Sequence, residues 1–424
     1  MPRPRSLAPL RHRPFALLWT GAFASNIGTW METVTVGILL EHTTHQATWS
    51  SLVLAAGFAP NGVLGPVGGA LADRLSRRVL LLVTTGAQTA LAGTLAALAA
   101  WGHPGPGVVT LIVFASGCAN AIGFPSYQAI LPDLVPVDDL AGAVALSSAQ
   151  WNLGRVIGPA VAGVVIATGG YAWAFLINTV SFFGVILVLA SLRLPPPPHT
   201  ERTPLLRSIG DGVRVAWGDP GLRLVLILIG IASLLAAPFI ALVPAVADKV
   251  FHDTKFGTAA LVTSQGLGAV AMALSLGTLH ARFGSRRTLL GALGLLPVAL
   301  LVYAAAPTLW VGVLAIAVVG FLYLGMLSSC TTITQLRAPA YARGRVLSLL
   351  MALLGLVYPI GALAQGALGD AVGIRVTIAG AALLFGAAVL GVRVLGRASL
   401  PGLDTGVEPA RDARPGTRTV SRRS

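Results

Sequence analysis

Apolar residues recur in this chain in runs of about twenty, the length a helix needs to cross roughly 30 Å of hydrocarbon. Twelve such runs fall near positions 15–40, 50–72, 79–101, 107–130, 141–167, 172–192, 222–247, 257–281, 287–306, 309–335, 346–368 and 374–395. Each is read as a helix, because an open sheet would leave backbone N–H and C=O groups unpaired in lipid. Of 424 residues, 55% are hydrophobic and 10% charged. A soluble globule carries charge on about a quarter of its residues, so the solvent here is lipid. The class is therefore an all-α integral membrane protein.

The net charge of +14 is mostly arginine lying between the apolar runs or in the two tails, which argues against nucleic acid as a partner. With the amino terminus inside, Arg74, Arg77, Arg78, Arg193, Arg202, Arg207, Arg214, Arg223, Arg282, Arg286, Arg287, Arg337, Arg343 and Arg345 share one side with both tails. Lys249, Lys255 and Arg375 are left on the other. That lopsidedness is what the positive-inside rule demands of an even number of spans, and it predicts cytoplasmic termini. The start, Met1 to Arg13 and an apolar run, is read as a retained first span and not a cleaved signal. Cys118 and Cys330 lie in separate apolar runs, so neither a disulfide framework nor a metal cluster is indicated.

One long polar interruption, 193–221, divides the chain six spans from six. The expected parts are a cytoplasmic tail (1–14), an amino-terminal bundle (15–192), the linker (193–221), a carboxyl-terminal bundle (222–395) and a basic, disordered tail (396–424). Four prolines, 195–198, stiffen the linker. After them Leu205, Leu206, Ile209, Val213 and Trp217 share one helical face, which predicts an amphipathic helix at the cytoplasmic surface. The halves echo one another: Asp73-Arg74-Leu-Ser-Arg77-Arg78 follows the second span, and Arg282-Phe-Gly-Ser-Arg286-Arg287 follows the eighth. Such an echo indicates an internal repeat.

The stretch Gly69-Ala-Leu-Ala-Asp73-Arg74-Leu-Ser-Arg77-Arg78 resembles the signature G-x-L-[AG]-D-R-x-[GS]-R-[RK] of the major facilitator superfamily, with Ser76 in the Gly/Ser position. The resemblance implies two pseudo-symmetric six-helix bundles. It also implies that this loop is a latch, with Asp73 at the positive end of the eleventh span's helix near Val346 and the arginines paired with acids such as Asp133. Gly154-Arg155-Val-Ile-Gly158-Pro159-Ala-Val-Ala162-Gly163 resembles the antiporter motif G-x-x-x-G-P-x-x-G-G, with Ala162 replacing a glycine. Physically, small residues at 154, 158 and 162 make a smooth stripe for a neighbouring helix, and Pro159 can kink the span. Phe124-Pro-Ser-Tyr-Gln-Ala-Ile-Leu-Pro-Asp133, Ala145-Leu-Ser-Ser-Ala-Gln-Trp-Asn152, Asn26-Ile-Gly-Thr-Trp30 and Arg343-Gly-Arg345 extend the resemblance to the enterobactin-exporter-like branch, the transmembrane secretion effectors. The likeness covers roughly residues 11 to 395. One departure is that the fourth span has no arginine between Val108 and Asn120, where many drug exporters of the superfamily carry one.

Away from span ends, Glu32 and Arg155 are the charges expected inside the hydrocarbon, where each costs about 3 kcal/mol on insertion scales. Glu32 is read either as a proton-coupling carboxylate or as a structural acid. Arg155 is read as holding Glu32 or an anionic substrate, or as packing the first span on the fifth through carbonyl hydrogen bonds. Candidate lining residues of an internal cavity are Asn26, Trp30, Asn120, Asn152, Gln265, Tyr323 and Tyr358, although single amides and tyrosines in spans also serve as glue between helices. Gly-Lys-Ser/Thr is absent, so no nucleotide is expected.

The expected function is export of a small amphipathic molecule across the cell membrane by a monomer. It would use alternating access and a proton gradient, with no cofactor and no metal. Uptake or uniport by the same fold is the nearest alternative. A membrane enzyme would need clustered acids, histidines or a nucleophile with its base, which the chain lacks. A transporter-shaped sensor is a further alternative, distinguished by signalling without flux.

Overall fold

A computed structural model describes residues 5–72, 74–102, 104–192, 205–339, 342–395 and 403. The elements in order are α1 (Arg13–Thr44), α2 (Ala47–Ala72), α3 (Arg77–Trp101), α4 (Pro106–Leu134), α5 (Val137–Gly169), α6 (Tyr171–Ser191) and the linker helix α7 (Leu205–Gly218). There follow α8 (Pro220–Ile231), a π turn (Ala232–Ala236), α9 (Phe239–Lys249), α10 (Thr254–Ala305), α11 (Leu309–Arg337), α12 (Arg343–Val372) and α13 (Ile374–Leu395).

Helix starts follow local chemistry. Asp219 caps α8 and Asp253 caps α10 by accepting the Leu222 and Phe256 amides at 2.8 and 3.1 Å, and Pro106 opens α4, where a missing N–H costs nothing. At 1.5 Å per residue, the 52 residues of α10 would reach about 78 Å, more than twice a bilayer core. Gly284 interrupts them at φ 79°, ψ 156°, which divides α10 into two spans. Pro220–Lys249 is one span carrying a π turn. Ten segments are long and apolar enough to cross a membrane; dividing α10 and adding α1, whose apolar run is broken by Asn26, Glu32 and Glu41, makes twelve. The twelve coincide with the runs read from the sequence.

The amino-terminal bundle packs α1 on α5 and α6, α2 on α4, and α3 on α4 and α6. The two bundles meet where α2 lies along α12, α5 along α10, and α9 beside α1 and α2. Their pseudo-symmetry shows in the turns: Gly170 joins α5 to α6 at φ 81°, and Gly373 joins α12 to α13 at φ 95°. L side chains rarely adopt such angles.

At the end of the molecule where α1 begins, each bundle is tied internally. Arg77 donates to Asp133 at 2.9 Å and to the Ala129 carbonyl at 3.0 Å, fixing α3 to α4. Arg78 donates to the Leu189 carbonyl at 2.9 Å, fixing α3 to α6. In the second bundle Arg337 grips Asp219 with two parallel bonds of 3.0 and 2.8 Å. Burial pushes the Asp219 carboxyl up, but Arg337 and the Leu222 amide outweigh it and hold the group below the ordinary carboxylate value. A depressed folded value stabilises the fold above the unfolded value and ceases to do so as pH falls through the folded one. Asp219→Asn, which keeps the cap and loses the charge, should therefore lower the melting temperature by a few degrees at pH 7. The deficit should be the same at pH 5 and shrink only below about pH 4, as thermal scans in detergent would show.

Asp211 of α7 reaches Arg345 at 3.3 Å, so the linker helix is docked on the start of α12. Trp217 stays 57% exposed, as expected of a helix with one face toward a lipid surface. The polyproline stretch and the basic tail, apart from Leu403, lie outside the described residues.

Candidate functional site: a cavity and a central polar cluster

The polar residues of four amino-terminal helices converge on one cavity of about 360 Å³. Helix α1 contributes Ser25, Asn26 and Thr29, α3 contributes Gln88, α4 contributes Asn120, Phe124 and Gln128, and α5 contributes Gln150, Trp151 and Asn152. These residues run from the middle of their helices, at Thr29 and Asn120, toward the end of the molecule where α1 begins. The lining mixes amides, hydroxyls and aromatic rings with no charged side chain, the pattern of a small-molecule site that has not been tuned to an ion. Asn26, Asn120 and Asn152, candidates from the sequence, are among the residues lining this cavity. Gln128, Gln150, Trp151 and Phe124 were quoted above as family motifs and turn out to be wall.

Trp30, Arg155, Gln265, Tyr323 and Tyr358 form a second cluster at the meeting of the two halves. Arg155 of α5 donates to Gln265 Oε1 of α10 at 2.9 Å, and its guanidinium carbon sits 5.6 Å from the Trp30 ring centroid. Tyr323 of α11 and Tyr358 of α12 lie near enough to interact electrostatically with the guanidinium. Phe239 and Phe58 brace these two tyrosines edge-on at 5.8 Å each. The cluster and the cavity are joined by rings, with Trp30 to Trp151 at 5.6 Å and Trp151 to Phe124 at 6.5 Å.

The Gly154–Gly163 motif explains why Trp30 and Arg155 can be neighbours. A Cβ at Gly158 would lie 2.6 Å from Trp30 Cβ and 2.8 Å from the Ile27 carbonyl oxygen, and one at Gly154 would lie 3.0 Å from Asn26 Cβ. Helix α1 rests directly on that stripe. Pro159 and Ala162 are buried in it, and Gly163 meets Ala259 of α10.

Two expectations are corrected. Arg155 neither holds Glu32 nor packs through a backbone carbonyl: its partner is the Gln265 side chain. Glu32 points the other way, accepting from Asn178 Nδ2 of α6 at 2.6 Å, with Ser181 bonded to the same asparagine. At the far end of α1, just past the first apolar run, Glu41 has no exposed surface, and Ser50 of α2 donates to its Oε2 at 2.6 Å.

Glu41 belongs to a seal at the end opposite the cavity. Asp370, near the end of α12, accepts the Ala47 and Thr48 amides at 2.8 and 2.9 Å and the Thr48 hydroxyl at 2.6 Å, so one half of the molecule caps a helix of the other. The carboxylate also gains from the positive end of the α2 dipole. Lys249 pairs with the same carboxylate at 2.5 Å, and His45 reaches Asp248 at 3.1 Å. Below them α2 and α12 touch through glycines: a Cβ at Gly366 would lie 2.8 Å from Ser51, and one at Gly355 would lie 2.5 Å from the Gly62 nitrogen.

The Gly69–Arg78 loop makes no such bridge among the described residues. Arg77 pairs with Asp133 as the resemblance implied, but within one half, and Arg74 is exposed. Asp73, and with it the expected contact near Val346, lies outside the described residues.

Twelve spans in two pseudo-symmetric bundles, with a polar cavity inside the first, are the architecture of a membrane transporter of the major facilitator type. The chain belongs to the transmembrane secretion effector family, whose description matches residues 5–415. It is 29% identical over 382 residues to the multidrug efflux pump Tap of Mycolicibacterium fortuitum, covering 86% of this chain and 91% of Tap. To the enterobactin exporter EntS of Escherichia coli O1:K1 / APEC it is 30% identical over 369 residues, covering 85% of this chain and 84% of EntS. Among solved structures it shares its fold with a bacterial homolog of the human lysosomal transporter Spinster (TM-score 0.73, 14% identity, 95% of this chain and 99% of that one). A peptide transporter POT in complex with sulfate is similar (TM-score 0.74, 15% identity, 92% and 96%).

Proposed function

We propose that this protein exports a small amphipathic molecule across the cytoplasmic membrane, with both termini in the cytoplasm, by rocking its two bundles about the central cluster. The observation that carries the reading is asymmetry of access. The cavity lining runs from mid-span, at Thr29 and Asn120, toward the end where α1 begins, while the cross-half hydrogen bonds of Asp370 and the His45–Asp248 pair close the opposite end. By its arginines the open end is the cytoplasmic one, so in this conformation the site exchanges cargo with the cytoplasm, and export is the direction we assign to it. Kinship to an efflux pump and a siderophore exporter supports the same direction. Cells overproducing the chain should accumulate less of some members of a panel of fluorescent amphipathic dyes than empty-vector cells. Unchanged or raised accumulation across the panel would point to uptake or to no transport.

Proton entry is the proposed energy source. Glu32 is the candidate carrier because it is an acid on the face of α1 that also bears Ser25 and Thr29 of the cavity wall, hydrogen-bonded to Asn178 and paired with no cation among the described residues. Glu32→Gln keeps an acceptor for Asn178 and removes the titration. The variant should stay folded in detergent and lose the part of efflux that collapses with the pH gradient, a loss of about tenfold or more. Wild-type, gradient-dependent efflux by that variant in proteoliposomes would remove Glu32 from the mechanism.

A further inference from the structure

We infer that the cluster of Trp30, Arg155, Gln265, Tyr323 and Tyr358 is a binding site for the anionic, oxygen-bearing group of an aromatic molecule, so that the cargo is an aromatic acid carrying a single negative charge. The inference rests on the export reading only in taking the cavity as the cargo path.

The argument begins with an excess of donors. A guanidinium has five N–H groups and no acceptor, and the one bond to Gln265 Oε1 uses little of that capacity. Around it, Trp30 Nε1, Gln265 Nε2 and Tyr358 Oη are buried with no partner in the protein. Gln265 is 3% exposed and Tyr358 7%, so bulk water does not serve them. Two of the three orphaned groups can only donate, and the third can. Buried polar atoms are almost always satisfied, and a set left open in one place, all able to donate, describes the complement of an acceptor.

Charge gives the same answer. No carboxylate among the described residues pairs with Arg155, and Glu32, two residues along α1 from Trp30, is engaged with Asn178 on α6. An isolated guanidinium between transmembrane helices is costly, and a singly charged anion docked on it would offset that cost and satisfy several N–H groups at once. A cation would meet repulsion, and a neutral molecule would leave the charge uncompensated.

The shape of the rest of the ligand is set by the approach. Phe124 and Trp151 of the cavity wall pack ring to ring with each other and with Trp30 of the cluster at 6.5 and 5.6 Å, and a flat aromatic body is the ligand that stacks on such surfaces. The cavity itself holds amides and hydroxyls but no charge, which suits the polar, uncharged remainder of a molecule whose only charge sits at the cluster. Because the residues come from α1 and α5 of one half and α10, α11 and α12 of the other, ligand bound here touches both bundles and can bias their arrangement.

Three probes with one ring system test this: 2-naphthoate, 2-naphthol and 2-naphthylmethylammonium, measured by equilibrium dialysis at pH 7 against the purified full chain in lipid nanodiscs. Naphthoate should bind at least about tenfold more tightly than either of the others. Arg155→Gln should bring naphthoate down to the level of naphthol while leaving naphthol unchanged. Arg155→Lys should keep the preference for the anion at reduced affinity, since the charge remains and the planar fork is lost. Tyr358→Phe should weaken naphthoate severalfold without disturbing the arginine. Naphthol or the ammonium probe binding as well as naphthoate to the wild-type chain would overturn the inference, as would an anion preference that survives Arg155→Gln. The two readings separate cleanly. Arginine-dependent naphthoate binding by a chain that exports nothing would keep the site and lose the export function, and dye efflux without any anion preference would do the reverse.

Discussion

Asp370→Ala should open the sealed end of this transporter. The substitution removes two backbone caps and one hydroxyl bond from the start of α2, and it strips Lys249 of its partner. Bonds to a charged group contribute roughly 1.5–3 kcal/mol each, and water replaces part of the loss. A net shift of about 3 kcal/mol would move the opening equilibrium about a hundredfold. Ser51 reports it well, because it is fully buried beneath the seal against Gly366. In a chain with Cys118 and Cys330 replaced by alanine, Ser51→Cys should react slowly with a membrane-impermeant maleimide added outside, and much faster once Asp370→Ala is introduced. Equal rates would mean that Asp370 decorates the surface and holds nothing.

The second large effect belongs to Gly158. Its missing side chain lets the backbone of α1 pass at contact distance, and a Cβ there would meet the Ile27 carbonyl oxygen at 2.8 Å and the Met31 nitrogen at 3.0 Å. Main-chain atoms of a packed helix cannot turn aside as a flexible side chain can. Gly158→Leu should therefore cost more than the about 1–3 kcal/mol usual for overpacking, with α1 levered off α5 and Trp30 carried away from Arg155. We expect most of the monodisperse peak to disappear on size-exclusion chromatography, and any remaining protein to bind no naphthoate. Gly184→Leu on α6, where nothing lies within 4 Å, is the matched control and should be tolerated. A Gly158→Leu variant as well folded as that control would refute the account of the stripe.

The spans and their number could be read from the sequence because the physics behind them is local. A run of twenty apolar residues bounded by charge has one stable solution in a bilayer, and even the close join between the eighth and ninth spans is marked, by Arg282, Arg286 and Arg287 around Gly284. The glycine stripe was legible for a similar reason, since small residues at a spacing of four can only make a groove. Partners were less legible. Glu32 and Arg155 are both isolated charges on neighbouring helices, and sequence cannot tell that α1 rotates one toward α6 while the stripe on α5 carries the other toward α10. Asp370 was missed because a lone acid at a span end resembles any solvated residue, and its partners lie 322 and 323 positions away. Glu41 was missed because a carboxylate beyond a run's last leucines looks wet until α2 folds Ser50 over it. The rest of the cavity wall was not legible from spacing: Gln150 and Trp151 stand two and one residues from Asn152, on different faces of a regular helix, and only the packing of the four helices brings them to one cavity with Asn120 and Gln128.

The claim that the two ends open in alternation can be tested by pulsed dipolar spectroscopy on two spin-label pairs, Thr43 with Val372 at the sealed end and Leu75 with Gly344 at the other. In the wild-type chain the first pair should be close and the second apart. In Asp370→Ala a new population should appear in which the first distance is longer and the second shorter. A first distance that lengthens while the second stays unchanged would contradict the account.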